Sequence, residues 1–103
     1  MDEGEKDLEL NLQRLVEATT EAVVLANQRQ NLEEALSLRD ELNRLPQEWM
    51  TEVLNGIMLK LIQIDPVLCR WFILDVFLLD ADPEGRADVA ERINLLLADL
   101  RSV

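Results

Sequence analysis

The chain has 103 residues, 21 carboxylates against ten Lys and Arg, and a formal charge of −11. That length fits one domain with a thin core, and the charge disfavours nucleic acid or an anionic membrane as a direct ligand. With no histidine, the commonest general base, the commonest transition-metal ligand and every Ser-His-Asp or Cys-His arrangement are excluded.

Leucine fills 21 positions, Tyr is absent, and Gly and Pro together number six. Such a composition favours helix and is poor in strand and turn formers. The first seven residues are strongly acidic and are expected to fray. They contain no apolar core of a signal peptide. From there Leu8, Leu12, Leu15, Thr19, Ala22 and Ala26 recur at four and three, which predicts a helix over about 5–29. Val16, Val23 and Leu25 widen its stripe.

The stretch "NQRQN" interrupts this stripe, and Asn31 with Glu34 three positions later has the form of a capping box. A second helix over 32–45 follows, with Leu32, Ala35, Leu38, Leu42 and Leu45 on one face. The break lacks Gly and Pro, so one bent helix over 5–45 stands as the alternative. Pro46 is expected in the first turn of a third helix, 46–64. Trp49, Met50, Val53, Leu54, Ile57, Leu61 and Ile64 recur along it, and Gly56 inside it suggests either a close helix crossing or a weak point.

Asp65-Pro66 and Asp82-Pro83 are the clearest boundaries, each pairing a capping side chain with a proline suited to the first helical position. They delimit helices over 66–80 and about 83–101. The last is amphipathic, with Val89, Ile93, Leu96, Leu97 and Leu100 on its apolar face. No repeat and no strand pattern appears. The expected fold is all-α: a compact, single-domain bundle of four to five helices joined by short turns.

The segment 66–80 is apolar on nearly all sides. At about 100° per residue, Arg70, Asp75 and Asp80 point in three directions, with apolar side chains between them. A helix of this kind must be enclosed, either at the centre of the bundle or against a second chain. Each large side chain left in water forfeits about 1.5–3 kcal/mol, which favours the interface. Arg70, Trp71, Phe72, Asp75, Val76 and Phe77 are therefore the candidate partner-binding residues. Arg70 and Asp75 project about 140° apart on that helix, too far to pair with each other. Arg70 then snorkels to water or meets an acid elsewhere, and in an antiparallel homodimer it could reach Asp75 of a twin.

Little chemistry is available. Cys69 lies in "VLCRWF" and reads as a small buried hydrophobe; alone, it can form neither an intrachain disulfide nor a cysteine zinc site. The glycines stand apart at 4, 56 and 85, so no phosphate loop exists. No cofactor or metal is expected. One catalytic alternative survives, a Mg-dependent all-α nucleotide pyrophosphohydrolase using Glu17, Glu21, Glu34 and Glu41 as hard oxygen ligands. The acidic helices otherwise read as solvated surface. Residues 1–52 carry 13 acids and five bases, residues 53–103 eight and five. This asymmetry supports a further alternative, an acidic inhibitor that mimics nucleic acid and binds a basic nucleic-acid-binding protein.

The reading that follows is a non-enzymatic protein–protein interaction module: an assembly factor, small chaperone, adaptor or small subunit of a larger complex. Its partner would be a protein, a basic one being favoured by the chain's charge, or a second copy in a homodimer, with no direct nucleic acid and no membrane. The apolar stretch is shorter than the roughly 20 residues that span a bilayer, and the cysteine usage suits a reducing compartment such as the cytoplasm.

Overall fold

The computed structural model describes residues 3–101, with side chains from residue 8 onward. Among these residues the fold is all-α, without strand. The elements are α1 (Glu3–Gln28), α2 (Leu32–Asn43), α3 (Gln47–Ile64), α4 (Pro66–Arg70), π1 (Trp71–Phe77) and α5 (Pro83–Arg101). No helix among the described residues is long and apolar enough to cross a membrane.

The break at 29–31 makes two helices and not one bent one. Gln30 takes a left-handed conformation, φ 55°. Its N–H donates to the Asn27 carbonyl at 3.1 Å and that of Asn31 to the Ala26 carbonyl at 2.8 Å, the paired bonds of a Schellman motif. Asn31 then opens α2, accepting the Glu34 N–H at Oδ1 over 3.1 Å. The reciprocal arm of the expected box is altered, because Glu34 accepts the side-chain amide of Asn31 at 3.4 Å.

Several expected boundaries move. α1 starts at Glu3, two residues before its expected start, while residues 1 and 2 lie outside the described ones. α2 ends at Asn43 and not at 45, and Pro46 is the N-cap residue of α3 and not its first helical residue. The two Asp-Pro boundaries stand as read: Asp65 accepts the Val67 N–H at 3.0 Å, and Asp82 accepts the Gly85 N–H at 2.7 Å. Helix four differs most. After Arg70 its backbone widens into a seven-residue π-helix, with the Leu78 N–H donating to the Ile73 carbonyl at 3.0 Å, and it stops at Phe77 and not at 80.

The core is built around α3, which packs against α1 and against helix four. Ile57, Leu61, Phe72, Ile73, Ile93, Val23 and Val53 are its largest fully buried side chains. In α1 most of the expected stripe faces inward: Val16, Thr19, Val23 and Ala26 are buried and Leu8, Leu12, Leu15 and Ala22 half-buried, while Thr20 joins them and Leu25 is exposed. The buried Thr20 hydroxyl donates to the Val16 carbonyl at 2.7 Å, which lets a polar residue sit there. α3 packs against α1, α2, α4 and α5; helix four packs against α2, α3 and α5. On α5 only Ile93 is buried, so most of its expected apolar face is open or half-covered.

Gly56 marks a close crossing. A Cβ built there would lie 3.0 Å from Cγ2 and 3.2 Å from Cγ1 of Val16, so the missing side chain lets α1 and α3 touch.

Candidate interaction surface

The six candidate residues of helix four do not form one surface. Phe72 and Val76 are fully buried in the chain's own core, and Trp71 and Phe77 are half-buried against it. Arg70 and Asp75 are exposed. Neither is left waiting for a second chain: Arg70 Nη2 donates to Asn94 Oδ1, and Arg86 Nη2 donates to Asp75 Oδ1 at 3.2 Å. Both partners lie on α5. The projection that separated Arg70 from Asp75 assumed an α-helix. In a π-helix, hydrogen bonds run from i to i+5, so residues five apart come close to one full turn. That winding turns both side chains toward α5. As exposed contacts they add little stability, about 0–1 kcal/mol for the ion pair.

A residue not singled out by sequence ties down the other side of π1. Arg39 of α2 has a side chain only 17% exposed. Its Nη1 donates to the Val76 carbonyl at 3.4 Å and lies 3.9 Å from Asp80 Oδ2. A cation at the carbonyl end of a helix is electrostatically favoured. No sequence pattern announced it, because the contact joins residues 37 apart.

Cys69 is fully buried, and its thiol lies 3.7 Å from the Met58 carbonyl. Burial pushes the thiol from its ordinary 9.0 up to about 11, against a smaller lowering by Arg70. It is protonated at neutral pH and has no access to a substrate.

Ten large apolar side chains are exposed among the described residues; three of them, Leu59 (41%), Ile64 (57%) and Val67 (70%), lie on the second half of α3 and at the start of α4. Each of the three lines a cleft. One, of about 580 Å³, lies along α1 and α3 and is lined by Leu12, Val16, Val53, Gly56 and Leu59 with Glu9, Glu17, Glu52 and Lys60. A second, of about 400 Å³, continues it with Thr20, Glu21 and Ile64, sharing Glu17, Lys60 and Gln63. The lining residues of both helices advance together, so α1 and α3 run parallel and frame one groove. A third cleft, between α4 and α5, is lined by Val67, Leu97 and Ala98 with Arg70 and Arg101, and its charge has the opposite sign.

The glutamates of the hydrolase alternative are not assembled. Glu17 and Glu21 lie on the groove, whereas Glu34 is engaged in the α2 cap and Glu41 stands exposed on the last turn of that helix. Among the described residues no three acidic, Cys or His side chains are grouped to hold a metal ion. No protein-family model, curated protein or solved structure matches the chain.

Proposed function

We propose that this chain is a non-enzymatic helical module that binds another protein, as an adaptor, assembly factor, chaperone or subunit of a complex. The observation that carries this reading is that exposed Leu59, Ile64 and Val67 each line a cleft of the surface. Single exposed leucines are ordinary, but large apolar side chains collected along concave surface are the usual form of a binding face. The expected interface thus moves from the flank of helix four to the corner that precedes it. Phe72 and Val76 hold the fold together, and their neighbours Ile64 and Val67 face outward.

A reducing compartment such as the cytoplasm suits this reading, since a lone buried thiol gives the chain no disulfide to depend on. The test is site-specific photo-crosslinking of the full chain in its native cell. A photoreactive residue at Ile64 or Val67 should give a discrete adduct with one protein, and one at exposed Ser37 should not. The adduct should disappear when its neighbour is changed, as in Val67→Glu for the probe at Ile64. Absence of adducts from both positions, in a chain that folds, would sink the proposal. An adduct at twice the chain mass would identify the partner as a second copy.

A further inference from the structure

We infer that the α1–α3 groove is a docking site for an amphipathic, basic helix of another protein, about three turns long, with apolar anchors inward and Lys or Arg on its flanks. The inference rests on the interaction-module reading and names the partner's chemistry. The lining runs from Glu9 to Glu21 on α1. At about 1.5 Å per residue that is roughly 18 Å, or three turns. Two parallel helices in contact at Gly56 and Val16 present a furrow of the kind into which a third helix packs. Its floor is apolar, with Leu12, Val16, Gly56 and Leu59, which suits anchors spaced at i, i+3 or i+4, and i+7.

Charge selects the flanks. The groove residues include four glutamates, Glu9, Glu17, Glu21 and Glu52, against the single base Lys60. The chain's overall charge of −11 adds a long-range field of the same sign, which speeds the approach of a cationic segment. A second copy of this chain is a poor occupant, because none of its helices of three turns or more carries a net positive charge. A nucleic-acid mimic would have no use for an apolar floor. The α4–α5 cleft, with Arg70 and Arg101, serves as an internal contrast within the same molecule.

The experiment uses three synthetic 14-residue helical peptides with identical leucine anchors and flanks of Lys/Arg, Gln or Glu. Each is titrated into the full ¹⁵N-labelled chain at low salt while amide shifts are followed. The basic peptide should saturate, with shifts concentrated in 9–21 and 52–64, and the acidic one should not bind there. Glu17→Lys with Glu21→Lys should weaken the basic peptide at least tenfold and admit the acidic one. The same change of net charge at exposed Glu41 and Glu91 should leave affinity within twofold, and Glu17→Gln with Glu21→Gln should give an intermediate loss. Raising salt should weaken the basic peptide several-fold. Equal binding of the three peptides, no loss on charge reversal, or no saturable binding would overturn the groove assignment. Shifts confined to Val67, Leu97 and Arg101 would also overturn it. In any of those cases crosslinks from Val67 would still uphold the interaction module, so the two readings fail separately.

Discussion

Gly56 shows how one residue sets two competing quantities. Replacing it with Ala should gain about 1 kcal/mol of helix propensity. The added Cβ, however, would come within 3.0 Å of Val16. Ala at this position is therefore expected to lower the urea midpoint despite being the better helix former, and to raise it when introduced into the Val16→Ala background. A stability gain in the single variant would show that α1 and α3 are free to separate there. Cys69 supplies a second residue-scale prediction. Its folded thiol is raised to about 11 from 9.0 by burial, so the unfolded chain releases its proton first as pH rises. The stabilisation is complete below about pH 9 and is lost toward pH 11. Relative to Cys69→Ala, the wild type should lose about 2 kcal/mol across that window. The chain has no Tyr and two Lys, so few other groups obscure the comparison, which denaturant titrations at successive pH values would make.

The elements differ in how firmly they are held. α3 contributes Val53, Ile57, Met58, Leu61 and Ile62 to the buried core, whereas α5 contributes only Ile93. Amide hydrogen exchange should accordingly find α5 opening first, with the middle of α3 protected up to the global unfolding free energy. The opposite order would mean that α5 is anchored by contacts its burial does not show. The α1–α2 corner invites a stabilising change, because its left-handed position is held by Gln30, with φ 55°. Glycine there removes the Cβ penalty, so Gln30→Gly should raise stability by about 0.5–1 kcal/mol, whereas Gln30→Ala should not. Thermal melts of the two variants provide the check. The two Asp-Pro helix starts were legible because caps are local: side chain, proline and amide lie within a few residues. The Gln30 corner was legible only in part, since a Schellman motif without glycine has no compositional mark.

At the scale of the whole molecule, the charge of −11 is poorly compensated, with three ion pairs found among the described residues. Self-repulsion of this kind is screened by salt. Sodium chloride at a few tenths molar should therefore raise the melting temperature, and a fall would point to ion pairs as net stabilisers. The radius of gyration, 14.0 Å, slightly exceeds the roughly 13 Å typical of a chain this long. The excess agrees with the length of α1, whose 26 residues at about 1.5 Å each match the 40 Å long axis. Open clefts lie along α1–α3 and α4–α5. Those clefts, lined in part by exposed Leu59, Ile64 and Val67, are properties of assembled helices and of no helix alone.

The sequence by itself determined an all-α chain, the places where most of its helices begin, and the chemistry denied to it by the absence of histidine and of a second cysteine. These follow from propensity, capping and residue type, which act over a few positions or by simple absence. It also marked 66–80 as a segment expected to be enclosed on all sides. Only the tertiary structure decided how far: Leu68, Cys69, Phe72, Ile73 and Val76 are buried, whereas Val67 and Leu79 stay exposed. The π-helical winding after Arg70 turns Arg70 and Asp75 toward α5, Phe72 and Val76 enter the core, and Arg39 closes the far end from α2. A helical projection assumes an α-helical winding, so a change of helix type lay beyond its reach.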